Sequence, residues 1–163
     1  MKILIIADTH AQDDIFLKIL SRERPFDALL HAGDFEGSEF VYREIAGVPF
    51  YYVAGNNDFF TDAPYDRVIE LCGCRIYMTH GHRMKLHSGF ELVRKEAAAR
   101  KADIAVFGHS HTPAAQYEGG ILLLNPGSLS WPRQIPRKPS YIILTLSGGR
   151  VESYEIKYLE SME

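Results

Sequence analysis

Five short polar clusters hold the residue types from which metal sites are built: Asp8-Thr9-His10, Gly33-Asp34, Gly55-Asn56-Asn57-Asp58, His80-Gly81-His82 and Gly108-His109-Ser110-His111. They offer carboxylate oxygen, amide oxygen and imidazole nitrogen, and four of the five have no lysine close by. Carboxylate suits Mg and Mn, and imidazole suits Zn, Fe and Ni, so a mixed set favours a borderline first-row divalent ion. Seven candidate ligands, Asp8, His10, Asp34, Asn56, His80, His109 and His111, exceed what one tetrahedral ion accepts. Two ions roughly 3.5–4 Å apart, bridged by a carboxylate, would use them all. The expectation is a binuclear centre.

Taken singly, each cluster has an ordinary explanation. An Asp after a strand is commonly a helix cap or a turn former, and Asn-Asn-Asp after Gly55 suits a turn because Asn tolerates left-handed backbone. Two His on a solvated loop need no ligand either. Five such clusters in one chain, each following an apolar run, make coincidence the poorer account. His31 lies inside one of those runs and His87 precedes a helix, so both read as structural.

The runs that must position these clusters are Lys2 to Ala7, Ala28 to His31, Phe50 to Ala54, Arg75 to Thr79 and Ile104 to Phe107. Each is short, apolar or aromatic, and bounded by turn or polar residues, as buried strands are. Helical spacing of apolar residues over Asp14 to Arg22 and Ser38 to Ala46 predicts crossover helices. A third is expected over Ser88 to Lys101, with Ser88 and Glu91 as a capping box. Strands separated by helices imply parallel pairing. The connection from Asn56 to Gly73 is long and only weakly helical, which suggests a functional loop. Beyond it, Ala114 to Glu118, Ile121 to Asn125, Tyr141 to Ser147 and Val151 to Tyr158 read as antiparallel hairpins. The polar clusters, joined by Asn125-Pro126-Gly127-Ser128, fall at the carboxyl ends of strands, the edge where ligands bind in open α/β sheets. One mixed sheet and two sheets packed face to face both accommodate this pattern.

The 163 residues suffice for one domain over 1–163, and 46% hydrophobic with 24% charged residues excludes collagen-like and disordered classes. A formal charge of -3 excludes whole-surface attraction to nucleic acid or anionic membrane. Runs such as Ile3 to Ala7 are far short of the roughly 18 residues a membrane helix needs. The N-terminus reads as a first strand, and the protein as cytoplasmic. Cys72 and Cys74, one Gly apart, are expected to be reduced thiols.

D-x-H, G-D, G-N-x-D, H-G-H and G-H-x-H in this order resemble the calcineurin-like metallophosphoesterase family, especially its small bacterial and archaeal phosphodiesterases. The resemblance implies a four-layer αββα sandwich of two mixed β-sheets flanked by helices. It puts Asp8, His10 and His111 on one metal, Asn56, His80 and His109 on the other, and Asp34 between them as the bridge. Many relatives read Gly-Asn-His-Asp or Gly-Asn-His-Glu, with the His assisting the transition state or leaving group, where this chain has Asn57.

The chemistry this predicts is hydrolysis of a small phosphodiester by a hydroxide bridging two divalent ions, Mn2+ foremost, with Zn2+, Ni2+ or Fe2+ as the other choices. Asn57 is expected to donate an amide hydrogen bond, and His82 is the candidate substitute acid. Arg83, Lys85, Arg133, Arg137 and Lys138 are either phosphate partners or solvated charge. Phe59, Phe60 and Trp131 are either stacking platforms or packing. A phosphomonoesterase and a non-catalytic scaffold of the same fold are the rival readings. No membrane partner is expected, a nucleic-acid polymer is disfavoured by the net acidity, and self-association stays open.

Overall fold

The computed structural model describes residues 1–160. Ten strands and three helices follow one another as β1 (Lys2–Ile6), α1 (Asp13–Glu23), β2 (Ala28–His31), α2 (Glu39–Ala46), β3 (Phe50–Tyr52), β4 (Asp66–Leu71), β5 (Cys74–Thr79), α3 (Glu91–Ala99), β6 (Ile104–Val106), β7 (Ala114–Glu118), β8 (Ile121–Asn125), β9 (Ser140–Ser147) and β10 (Arg150–Tyr158). They form two five-stranded sheets, ordered β10-β9-β1-β2-β3 and β4-β5-β6-β8-β7. Both are mixed: β1, β2 and β3 run parallel in the first and β5, β6 and β8 in the second, with antiparallel strands at the flanks.

Strand β1 shows why the sheets stack. Successive side chains point to opposite faces, so Ile3 and Ile5 enter a core shared with Ile76, Met78, Ile104 and Val106 of the second sheet. Leu4 and Ile6 face the other way, against Phe16, Ile19 and Leu20 of α1 and Tyr42 of α2. On the far side, Val93 and Ala97 of α3 pack with Tyr77, Ala105 and Leu123. Helices, sheet, sheet and helix make four layers, as the family resemblance implies. Each fully buried large aliphatic side chain contributes about 1.5–3 kcal/mol, so strands that are apolar on both faces anchor the fold.

Two expectations need correction. The Asn56 to Gly73 connection contains a strand, β4, paired antiparallel with β5 across the Cys72-Gly73 turn, where φ is +50° and +77°. Asp66, Arg67 and Glu70 mask the pattern, because β4 is an edge strand with mainly its Ile69 and Leu71 side chains buried. The third helix starts at Glu91 rather than Ser88: Leu86–Ser88 forms a separate 3-10 turn, Gly89 at φ +108° interrupts the chain, and no side chain caps the helix. Glu91 pairs with Arg94 and Lys95 instead. The other elements fall within two residues of their expected bounds. Neither cysteine is in a disulfide, and among the described residues no helix is long and apolar enough to cross a membrane.

Candidate metal centre

The parallel strands of both sheets deliver their polar clusters to one place. His80, after β5, sets its Nε2 3.4 Å from Asp34 Oδ2 and 3.8 Å from Asp8 Oδ1. His111 Nε2 lies 3.1 Å from Asp8 Oδ1, and His10 Nε2 lies 3.8 Å from Asp34 Oδ2. Asp8, His10 and His111 therefore form one compact trio and Asp8, Asp34 and His80 a second. All five side chains are buried. Asn56 joins through its Oδ1, 3.1 Å from His80 Nε2, and the His109 ring centroid is 5.2 Å from that of His80.

The imidazoles share a common orientation. His80 Nδ1 donates to the Ala32 carbonyl at 2.7 Å and His111 Nδ1 to the Trp131 carbonyl at 2.9 Å. His10 Nδ1 donates to Glu36 Oε1 at 2.6 Å. An N–H fixed at Nδ1 leaves the Nε2 lone pair free and aimed inward, the outer-partner pattern seen around metal-binding histidines. In the neutral ring His80 Nε2 consequently faces another acceptor, Asn56 Oδ1. Asp8 Oδ1 and His10 Nε2 are buried with no hydrogen-bond partner at all. Buried acceptors facing acceptors are costly unless a cation lies between them, so these residues fit a divalent ion.

The backbone is strained at the same places. Asp8, His10, Asp34, His109 and His111 have φ of +50°, +44°, +60°, +66° and +57°. Left-handed backbone costs a non-glycine residue roughly 1 kcal/mol or more, least for Asp, Asn and His. Two glycines permit the close approach: a Cβ on Gly33 would lie 2.6 Å from His80 Nδ1, and one on Gly55 would collide with the Asp34 carboxylate.

Burial alone would raise the Asp34 carboxyl, but the hydrogen bond and charge of His80, with two hydrogen bonds from Asn57, hold it well below the usual carboxylate range. Burial works against charge on His80, yet Asp34 and Asp8 outweigh it and push His80 up to about 8. Burial and then the His80 charge lower His82 and His109. The two carboxylates thus demand positive charge, for which a proton on His80 and a divalent ion are alternative sources.

His82 stands at the wall of the cluster, its ring 5.6 Å from that of His80 and its Nδ1 buried without a partner. Asn57 turns inward: its backbone N–H and its Nδ2 donate to the two oxygens of Asp34 at 2.9 and 2.8 Å. Trp131 packs on the His10 ring at 4.2 Å, whereas Phe59 and Phe60 stand in the open at 78% and 101% exposure. His31 is structural: it accepts from the Gly33 N–H at Nδ1, donates from Nε2 to Thr9 Oγ1, and is driven down to about 3 by burial and the His80 charge. His87 is exposed.

The supporting roles of several groups are not legible in the sequence, although Asp58, Asn125 and Ser128 fall within its polar clusters. Asp58 accepts from the backbone N–H of Asp34, Glu36 and Gly55 at 2.7–2.8 Å, tying two loops together. Its place in the G-N-x-D cluster was the signal. Ser128 and Ser130 both donate to the Asp8 carbonyl, and Asn125 donates to that of Gly108. Glu36, partner of His10, carries no signal in the sequence.

A family model for the calcineurin-like phosphoesterase superfamily domain matches residues 1–149. The chain is 36% identical over 147 residues to the Bacillus subtilis probable metallophosphoesterase YsnB, covering 90% of this chain and 85% of that one. A Streptococcus pneumoniae protein described as a predicted phosphoesterase superposes with a TM-score of 0.76 at 33% identity, over 88% of this chain and 81% of its own. Vps29 of Entamoeba histolytica, solved with Zn2+, reaches 0.79 at 21% identity over 98% of both chains, a likeness of fold. Ordered motifs, paired mixed sheets and a model match across most of the sequence agree, and the chain belongs to the calcineurin-like phosphoesterase superfamily.

Proposed function

We propose that the chain is a metal-dependent phosphodiesterase acting on a small phosphodiester, with two divalent ions, manganese foremost and zinc, nickel or iron as alternatives. In this reading Asp8, His10 and His111 hold one ion, and Asn56, His80 and His109 hold the other. Asp34 would be shared between them, since its Oδ2 faces the Nε2 of one histidine from each set, His10 and His80. The observation that carries the proposal is the buried, partnerless pair Asp8 Oδ1 and His10 Nε2 within this cluster. Bound there, divalent ions supply Lewis-acid polarisation of the phosphoryl group and a nucleophile at neutral pH.

The chain's own residues set the rest. Asn57 holds the Asp34 carboxylate through both its N–H groups. Because that side chain has no exchangeable proton of useful acidity, diesters with acidic leaving groups should turn over best. His82, its ring 5.6 Å from that of His80 at the wall of the cluster, is the residue proposed to hydrogen-bond the departing oxygen. A cavity of about 430 Å³ beside Asn57, Phe59 and Phe60 and one of about 420 Å³ beside His82, Arg83 and Arg133 offer space for two ester arms. That favours a diester over a monoester. A reducing, cytoplasmic setting belongs to the same proposal, and the free thiols Cys72 and Cys74 suit it.

The likeness to Vps29 supports a second reading, a non-catalytic scaffold of the same fold. The deciding experiment strips the protein with chelator, reconstitutes it with each metal, measures metal content, and assays mono- and diesters. About two ions per chain with diester turnover is expected. Metal binding with no turnover of any ester would favour the scaffold, and absence of metal binding would sink both the site and the mechanism.

A further inference from the structure

The cavity beside His109 has an unusual lining for an acidic protein. His82, Arg83, Lys85, His87, His109 and Arg133 face it, with no carboxylate among the lining residues, although the chain carries 21 Asp and Glu against 18 Lys and Arg. Among the described residues Arg83, Lys85 and Arg133 form no ion pair, whereas Arg75, Arg94 and Arg100 each do. Like charges gathered around a cleft repel one another and focus a positive field, which an anion relieves.

The backbone that carries these groups is held in place. Arg83 lies over the Tyr65 ring at 4.4 Å, a contact that fixes its stem without neutralising it. Lys85 sits at φ +48° between two hydrogen-bonded turns, closed by Met84 N–H to Gly81 O and Ser88 N–H to Lys85 O, both 2.9 Å. The Arg133 backbone N–H donates to the His111 carbonyl at 2.9 Å, tying this cation to a loop of the metal centre. The His82 ring lines the same wall.

We propose that this cavity is a second anion subsite that receives a phosphomonoester carried on one arm of the scissile diester. The substrate class is then a small phosphodiester bearing an additional phosphate. This deepens the phosphodiesterase reading above and rests on it. A phosphomonoester brings about -1.5 to -2 charge and three acceptor oxygens, matching several cations better than a single carboxylate would. The other cavity, lined by Phe59 and Phe60 together with Glu36 and Asp58, suits the uncharged arm, so the difference between the two linings sets the direction of binding.

Two measurements on the full chain test this. First, inorganic phosphate is titrated into chelator-treated, 15N-labelled protein. Saturable shifts are expected at the amides of residues 81–87 and 133, with affinity at least tenfold weaker in the Arg83→Ala/Arg133→Ala double variant, and Lys85→Ala as an independent second variant. An absence of saturable shifts there overturns the subsite. Second, the metal-loaded protein is given 4-nitrophenyl thymidine 5′-phosphate with either a 3′-phosphate or a 3′-hydroxyl. The expected kcat/KM is at least tenfold higher for the phosphorylated diester, and the preference collapses in the double variant.

Hydrolysis of both at equal kcat/KM overturns the subsite and leaves the phosphodiesterase reading intact. Hydrolysis of neither overturns the substrate class along with that reading, while the metal-free titration separately reports whether the cavity binds phosphate. A ten-nucleotide single strand that competes more strongly than the 3′-phosphorylated mononucleotide overturns the small-molecule form in favour of a nucleic acid.

Discussion

Replacing Glu36 by alanine should weaken metal binding without weakening the fold. Glu36 Oε1 accepts from His10 Nδ1 at 2.6 Å, where the His10 side chain is 2% exposed and that of Glu36 37%. The bond keeps the proton on Nδ1 and so keeps the Nε2 lone pair facing Asp34. Loss of such an outer partner typically lowers metal affinity or activity 10–100-fold, about 1.4–2.7 kcal/mol. The same carboxylate is too exposed to add much to stability as half of an ion pair, so the metal-free melting temperature should barely move. Glu36→Gln keeps an acceptor oxygen and should fall between the two. Calorimetric titration of Mn2+ into chelator-stripped protein, with a parallel thermal melt, reads both quantities. Wild-type affinity in Glu36→Ala, or a loss of affinity matched by an equal loss of fold, would refute the reasoning.

Asp34→Asn should reduce diester turnover by more than about 100-fold, beyond what loss of an outer partner costs, with an unchanged circular dichroism spectrum; retained turnover contradicts a bridging role. Asn57→His should shift preference toward monoesters, and an unchanged diester-to-monoester ratio rules out the missing imidazole as the determinant. Saturation with Mn2+ at 100 times its Kd should stabilise the chain by about 2.7 kcal/mol for each ion bound, raising the melting temperature by roughly 5–11 °C per ion in a protein of this size. No rise would mean that the cluster does not bind the ion in the folded state. Glu23 is lowered from its ordinary 4.5, because hydrogen bonds from Lys157, Tyr141 and Lys2 and the Lys157 charge outweigh burial. Its contribution is therefore present above about pH 4.5 and lost as pH falls through the lower folded value. The stability gap between wild type and Glu23→Gln in urea melts should narrow below pH 4.5, and a gap constant from pH 7 to 3.5 would contradict the network.

The strands that carry the site are legible because they are buried on both faces and read as nearly unbroken apolar runs. The clusters after them are legible for the complementary reason: His and Asp straight after such a run have little packing to do there. Edge strand β4 is hidden by Asp66, Arg67 and Glu70, which its exposed position allows. The start of α3 is misplaced because Ser88 and Glu91 have capping-box spacing while Gly89 breaks the chain between them. Glu36 is invisible for a simpler reason, that an acid on a loop is common and its partner His10 lies 26 residues away. That Asp8 meets His111 across more than a hundred residues follows from strand order, which periodicity does not encode, so the grouping in sequence came through the family resemblance.

The left-handed residues decide which substitutions can be informative. A strand extended beyond Ile6 would carry Asp8 and His10 away along the sheet. Positive φ at both instead lets the Asp8 N–H bond to the Gly33 carbonyl and the His10 N–H to that of Asp34, both at 3.0 Å. The loops that bear the two carboxylates are thereby laced together, and Asp58 secures the second of them to Gly55. Alanine at position 8 or 34 would remove a carboxylate and also place a residue less tolerant of left-handed backbone there, mixing lost chemistry with a displaced loop. Asparagine tolerates that backbone and matches the shape; at position 8 its amide nitrogen can take the place of the partnerless Oδ1, whereas at position 34 both oxygens accept from Asn57, so an amide there also sets one N–H donor against another. An activity lost in Asp8→Asn therefore reports on the carboxylate charge, a loss in Asp34→Asn reports on that charge together with the Asn57 contacts, and the same loss in Asp→Ala reports on neither alone.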